Sequence, residues 1–386
     1  MSSTPLVDVL IPAFNAATTI ESAVNSIRAQ TLDDLLIHVV DDGSTDDTPA
    51  ILARIAAEDS RVRVHPRANG GIVEALNFGL SFCQGEFLAR HDADDLAWPD
   101  RLQVQVDYLR AHPDVVAVGA RARHIDAAGR PTGTVADLGS PDLCDPDHLP
   151  SREPYIIHPL LTLRRAALER AGGYRFAVHS EDTDLYWRLG EQGRLVNLPD
   201  TLADYRLHDA SISGTSAANG RIMAVNAQLA GLSARRRRAG KPDLAFAKDR
   251  VARYKQADGL AGVVAIASED LDADERLYLA RASAAKLLEL TTYRPYDLDR
   301  QDARFVRDAL GDGMPGVDPE RRAVLERHIS GAAARLALKG EWRTALTLLP
   351  PRLLPGFVAR VGMRAAVPAS LHRFLQRRGT RAALGH

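Results

Sequence analysis

Cysteine is scarce: Cys83 and Cys144 are the only two among 386 residues. Two thiols make neither a disulfide framework nor, alone, a metal site, so free thiols in a reducing compartment are expected. Long apolar runs are missing too. No stretch approaches about 18 uninterrupted apolar residues, so no transmembrane helix is expected. Met1 to Pro12 carries no basic segment and no cleavage site of a secretory leader, and a cytoplasmic address is expected. Aromatic residues are 5% of the chain and none is interleaved with the single basic block, Arg235 to Arg238. Base stacking is poorly supported, no nucleic-acid partner is expected, and the block reads as a solvated helix face. With 45% hydrophobic and 26% charged residues, the composition excludes a disordered tail, a collagen-like repeat and a small disulfide scaffold. The length suits two to three domains.

The overall charge of -1 conceals two unlike halves. Residues 1–220 carry 32 acidic against 19 basic side chains, a net -13, whereas residues 221–386 carry 18 against 30, a net +12. The acidic half suits a divalent cation; the basic half suits an anionic partner, or neutralises the acidic half across an interface.

Over the first 120 residues, strand and helix patterns alternate. Leu6 to Pro12, Leu35 to Val40, Arg61 to His65 and Glu86 to Arg90 read as buried strands. Between them, a capping box at Thr18 to Glu21, a Thr48 cap with Pro49 and the Asn69-Gly70-Gly71 turn open three helices. Such alternation predicts an α/β fold with a parallel sheet, whose ligands sit beyond the carboxyl ends of the strands. Prolines loosen the pattern from 113 to 160, and helical spacing returns at 164–171 and 181–192. Thr201 to His208 reads as a strand and loop. Beyond Ser213 the chain reads as α-helical, with breaks at 240–242, 294–296 and 311–316 and a helical hairpin around Lys339 to Trp342. The expected division is therefore 1–220 and 221–386.

Asp92, Asp94 and Asp95 gather three carboxylates at the end of a predicted buried strand. Strand alternation aims Asp92 and Asp94 to one side, and close like charges call for a cation; oxygen donors favour Mn2+ or Mg2+. Turn capping is the plainer account of such acids, above all for Asp95. Asn69-Gly70-Gly71 precedes a helix and is either a plain helix start or a place where backbone N–H groups approach anionic or sugar oxygens.

These clusters fall in one order: Pro12-Ala13-Phe14-Asn15, Asp41-Asp42-Gly43-Ser44, His91-Asp92-Ala93-Asp94-Asp95 with Pro99-Asp100-Arg101, then Ser180-Glu181-Asp182. The order resembles the family 2 inverting glycosyltransferases of GT-A fold, over residues 5–215. That resemblance implies a Rossmann-like, mostly parallel sheet flanked by helices, followed here by an α-helical C-terminal region. It implies that Pro12, Ala13 and Phe14 line a nucleotide base pocket, that Asp42 accepts a hydrogen bond from the base, and that Asp41 is its structural neighbour. Asp92 would lie near ribose and diphosphate, and Asp94 would bind the metal. His208 matches a position where relatives place a histidine near diphosphate and metal. Asp182 would be the base on the acceptor hydroxyl, Glu181 being the weaker candidate and Asp184 a cap. His158 stands near either sugar or is structural; Tyr186 and Trp187 suit core packing better than stacking on an acceptor.

The implied activity is metal-dependent transfer from a nucleotide-diphosphate sugar, with a UDP-sugar expected, to a glycan or lipid-linked acceptor in surface polysaccharide synthesis. Two alternatives stand beside it: a sugar-phosphate nucleotidyltransferase, which would want a basic glycine-rich loop after the first strand, and an inactive glycan-binding scaffold. After Glu341 no acid occurs and eight arginines follow, from Arg343 to Arg381, interleaved with apolar residues. Such a tail suits peripheral contact with an anionic inner membrane face, or packing on the acidic half.

Overall fold

Val7–Ala13 forms β1, and all seven of its residues are buried. In a strand, successive side chains face opposite ways. Val7, Val9 and Ile11 accordingly join one core, and Leu10 joins another on the far face. A computed structural model describes residues 4–207, 216–294, 296–311, 313–314 and 316–358.

Alternation of strand and helix continues as the sequence predicts: α1 (Ile20–Arg28), β2 (Leu35–Asp41), α2 (Thr48–Glu58), β3 (Val62–Pro66), α3 (Ile72–Leu80) and β4 (Phe87–Arg90). Then follow β5 (Leu96–Ala97), α4 (Arg101–Ala111), β6 (Val115–Ile125), β7 (Pro131–Ala136), β8 (Thr162–Arg164), α5 (Arg165–Ala171), α6 (Glu181–Gly190) and β9 (Arg194–Arg206). The sheet runs β3-β2-β1-β4-β8-β6-β9-β5, with β7 on β6. Its β3-β2-β1-β4 half is parallel, as expected. β8 pairs antiparallel with both β4 and β6, and β6 pairs parallel with β9, so the second half is mixed. Helices α1, α2 and α4 cover one face, and α3, α5 and α6 the other. α3 lies close because Gly79 has no Cβ; one there would stand 2.3 Å from Leu10 Cδ1.

Two helix starts differ from expectation. Thr19, not Thr18, precedes α1, and its side chain makes no capping bond. Thr48 lies inside α2 rather than capping it, and its hydroxyl accepts from the Ala16 N–H at 2.9 Å instead. Both helices are held by their buried faces, Ile20, Val24 and Ile27 or Leu52 and Ile55, each such side chain contributing about 1.5–3 kcal/mol.

Beyond β9, seven helices follow among the described residues: α7 (Ala217–Arg238), α8 (Lys248–Gln256), α9 (Gly259–Ala267), α10 (Ala273–Leu290), α11 (Arg300–Leu310), α12 (Pro319–Leu338) and α13 (Trp342–Leu348). Breaks at 240–242, 294–296 and 311–316 fall between them as predicted, and α12–α13 is the expected hairpin. These helices bury a core of their own, from Ile222 to Phe357. They are also joined to the first half by opposite charges: Lys286–Glu153 at 3.1 Å, Arg237–Glu191 at 2.8 Å, Arg235–Asp147 at 2.9 Å, and Lys248–Glu74. The basic block at Arg235 to Arg238 is therefore not a plain solvated face; three of its four arginines reach carboxylates. Mutual neutralisation across an interface is the arrangement found. No described helix is long and apolar enough to cross a membrane. The arginine-rich tail from Arg360 onward lies outside the described residues.

Candidate functional site

The loops after β1 and β2 are laced together at the carboxyl edge of the parallel strands. Asn15 N–H donates to Ser44 Oγ at 2.9 Å, Thr45 N–H to Asn15 Oδ1 at 2.8 Å, and Ala17 N–H to Asp46 Oδ2 at 3.1 Å. Pro12 and Ala13 are buried, whereas Phe14, 51% exposed, stands at the mouth of this edge. Asp41 Oδ1 accepts from the Ser44 N–H at 3.0 Å, the structural task expected of it. The turn needs Gly43, at φ +76°, where a Cβ would meet the Asn69 nitrogen at 2.7 Å.

Asp42 is 4% exposed and takes an ion pair from Arg67 together with N–H donors from Gly70, at 3.1 Å, and Gly71, at 2.8 Å. Asn69 donates its side-chain amide to the Asp42 carbonyl at 2.9 Å. Asn69-Gly70-Gly71 thus cradles the carboxylate of this chain, and Arg67, which the sequence reading missed, stands beside it with a second partner in Glu74 at 2.6 Å.

At the end of β4, Asp92, Asp94 and Asp95 bring ligand oxygens within 4.8 Å of one another. Asp95 is the most enclosed, 1% exposed. It accepts the Arg206 N–H at 2.8 Å on Oδ1, while its Oδ2 has no hydrogen-bond partner among the described residues. Burial, then the charges of Asp92 and Asp94, push its carboxyl well above the usual range. Arg206 Nε donates to the Asp94 carbonyl at 2.8 Å, so the end of β9 clamps the acidic loop. Three oxygen donors with one orphaned, buried oxygen fit a hard divalent cation. Sequence reading set Asp95 apart as a capping residue; geometry puts it in the same cluster.

Arg90, two residues before Asp92, is the hub. It is 5% exposed in a buried strand and ion-pairs with Asp92. Its charge also holds down the carboxyls of Glu181 and Asp182 against the burial that raises them. Both acids sit in the first turn of α6, a favourable place for negative charge. Asp182 Oδ1 accepts the Thr183 N–H at 2.7 Å. Glu181 is pushed up to about 7 by burial and by the Asp182 charge. The preceding loop is held by α7, through Asn226 to the Val178 carbonyl at 2.9 Å and Ser180 to the Met223 carbonyl at 3.2 Å. It carries His179 at φ +67°, a conformation a non-glycine residue adopts only at some cost.

Other expectations resolve clearly. Asp184 is buried between Arg175 and Arg188, so its charge is consumed by structure. Tyr186 and Trp187 are 0% and 3% exposed, core residues as expected. His158 Nε2 meets the Tyr174 hydroxyl at 2.9 Å, and burial with the Arg90 charge keeps the ring neutral. His208 lies outside the described residues. Missed by sequence reading were Arg67, Arg90, Arg206 and Tyr174; for Arg90 the signal was there, an arginine inside an otherwise apolar strand.

The family model described as glycosyl transferase family 2 matches residues 8–170. The chain is 32% identical over 221 residues to an uncharacterized glycosyltransferase of Haemophilus influenzae, covering 54% of this chain and 67% of the relative. It is 31% identical over 212 residues to the putative glycosyltransferase EpsE of Bacillus subtilis, covering 53% and 74%. To the amylovoran biosynthesis glycosyltransferase AmsE of Erwinia amylovora it is 31% identical over 189 residues, covering 48% and 70%.

Proposed function

The chain belongs to glycosyl transferase family 2, and from that premise we propose a metal-dependent, inverting transfer of a sugar from a nucleotide-diphosphate donor, a UDP-sugar, to a glycan or lipid-linked acceptor in surface polysaccharide synthesis. The observation that carries the reading is the Asp92–Asp94–Asp95 cluster joined through Arg90 to a pair of carboxylates at the start of α6. One acidic group suits a diphosphate and its cation; the other suits an acceptor hydroxyl.

In this reading the base rests between the laced loops after β1 and β2, near Phe14. Asp42 and Arg67 set an acceptor beside donors, which complements the N–H and carbonyl edge of uracil. Asp94, with Asp92 and Asp95, would hold Mn2+ or Mg2+, which when bound neutralises charge on the diphosphate. Reaction is one in-line displacement. The acceptor oxygen bonds to the anomeric carbon, the carbon–oxygen bond to the diphosphate breaks, and the electron pair leaves with the phosphate. Asp182 takes the hydroxyl proton, and the anomeric configuration inverts. Arg90 holds Asp92 in place through their ion pair, and its charge opposes the burial that raises the Asp182 carboxyl. Polysaccharide synthesis is supported by the similarity to an amylovoran biosynthesis enzyme. The testing experiment is a screen of nucleotide sugars for donor hydrolysis with and without Mn2+. Release of nucleotide from a UDP-sugar in Mn2+ alone is expected; metal-independent turnover, or none with any UDP-sugar, would overturn the reading.

A further inference from the structure

The helical region does more than neutralise the acidic half: α7 grips the loop before Asp182, and α10 grips the segment before Tyr155. α10 is tied to the segment before Tyr155 by the buried Lys286–Glu153 pair at 3.1 Å. Gln228 of α7 holds the same segment, accepting from the Ser151 N–H at 2.7 Å and donating to Glu153 at 3.2 Å. Tyr155 is placed by this grip, its carbonyl accepting from Asn197 at 2.9 Å. Just past α10, the turn at Leu290 brings Tyr293 and Arg294 round, the Arg294 N–H bonding the Leu290 carbonyl at 2.9 Å.

Two features of these side chains lack a structural purpose. Tyr155 and Tyr293 are 39% and 51% exposed, large rings left facing water. Arg294 lies with its guanidinium 5.6 Å from the Tyr293 ring, and its Nε is buried without a hydrogen-bond partner among the described residues. Their position relative to the acids of α6 is given by α7: a Cβ on its Gly220 would stand 2.3 Å from the Tyr296 ring, the Met223 carbonyl one turn on accepts from Ser180, and Gln228 holds the segment before Tyr155. The Tyr155 phenol lies in range of the charges of Asp182 and Arg294 and of the Tyr293 phenol. Tyr205 feels Arg294 together with Asp95, Asp92 and Asp94. Tyr293 and Arg294 thus sit in the turn between α10 and the start of α7, the helix that holds the loop before Asp182.

We propose that Tyr155, Tyr293 and Arg294 form an acceptor subsite for a negatively charged sugar, a uronate or a sugar phosphate, with the helical region supplying two of its three side chains. This rests on the transferase reading, which supplies the acceptor. Tyrosine faces stack against the apolar C–H face of a pyranose, and a guanidinium pairs with a carboxylate or phosphate through charge-assisted hydrogen bonds.

The test uses the full chain, saturated with UDP and Mg2+, titrated by ligand-observed NMR with methyl glucuronide, glucose 6-phosphate and methyl glucoside. At least one charged sugar is expected to bind about tenfold more tightly than the glucoside, the scale of one charge-assisted hydrogen bond. Which charged sugar binds better tells uronate from phosphate. Arg294→Gln should erase the charge preference and Tyr293→Ala should weaken all three, with UDP affinity in both variants within about twofold of the parent chain. No charge preference in the parent chain, or a preference that survives Arg294→Gln, overturns the subsite. Loss of UDP affinity in Arg294→Gln moves the arginine to the donor side and also overturns it. Failure of the parent chain to bind UDP would instead sink the donor reading first, a separate result.

Discussion

Arg90 forms an ion pair with Asp92 while lying almost wholly beneath the protein surface, 5% exposed. A buried guanidinium is stable only when opposite charge surrounds it, and here that charge comes from both functional groups of the site. Arg90→Gln should therefore do two things at once. Losing the cation lets burial raise the Asp182 and Glu181 carboxyls further, so the acid limb of the pH–rate profile should move to higher pH. Arg90→Lys keeps the charge and should leave that limb nearly in place. A profile unmoved in both variants would remove Arg90 from any electrostatic part in the chemistry.

Asp182→Asn preserves shape and the Thr183 contact while removing the proton acceptor. Transfer should fall by roughly two to four orders of magnitude, the scale of a general base, with UDP affinity intact. Collapse of UDP affinity alongside turnover would place Asp182 in the donor site.

Much of this site was readable in the sequence, because strand ends are marked by polar clusters after apolar runs. The Asp92–Asp94 cluster and the parallel β3-β2-β1-β4 half were found that way, whereas the parts given to Asp42 and to Asp182, which stands at a helix start, came from the family resemblance. What could not be read were partners distant in sequence. Arg67 meets Asp42 and Arg206 clamps Asp94 through tertiary folding, which leaves no local pattern. The stretch from 113 to 160 read only as short strands and turns, and the pairing of β8 with β4 and β6 and of β6 with β9 joins segments distant in sequence, which no local pattern marks. Capping at Thr18 and Thr48 misled because packing, not cap chemistry, sets where α1 and α2 begin.

Asp95 separates the metal reading from turn capping. Its raised carboxyl means that without a cation the folded chain holds a proton the unfolded chain has released. Stability should therefore fall as pH rises above the usual aspartate range, and Asp95→Asn should remove that loss. With Mn2+ present the order reverses: the parent chain should gain melting temperature and Asp95→Asn should gain less. Asp94→Ala should abolish Mn2+-supported turnover. Equal thermal shifts in all three proteins on adding Mn2+ would dismiss the cluster as a metal site.

Glu181 gives a pH dependence of a different kind. Its carboxyl rises from an ordinary value near 4.5 to about 7, so between those values the native state binds more protons than the unfolded state. Stability from this group is present at low pH and lost as pH rises through that window. Glu181→Gln should flatten the fall in melting temperature between pH 5 and pH 7, and should cost transfer far less than Asp182→Asn. If Glu181→Gln proves the more damaging of the two, the base has been assigned to the wrong neighbour.

Lys286 and Glu153 test whether the two halves are one folding unit. Their side chains are 10% and 8% exposed, so water does little to screen either charge. Burial alone would neutralise both; the pairing keeps the Lys286 ammonium well above its usual range. Removing one partner strands the other, a loss of about 3–5 kcal/mol for a buried pair, whereas replacing both with apolar groups costs much less. Lys286→Met should thus destabilise strongly, and Lys286→Met with Glu153→Leu should recover part of that loss, although Gln228 then loses its contact with Glu153. Denaturant unfolding, in a Trp342→Phe background that leaves Trp98 and Trp187 of the first half as the remaining tryptophans, followed by far-ultraviolet dichroism and by fluorescence, reads the outcome. One shared transition, shifted in the single variant and partly restored in the double, is expected of halves welded at this interface. Two transitions, with tryptophan fluorescence indifferent to Lys286→Met, would show that the helical region folds apart from the half that carries the acids.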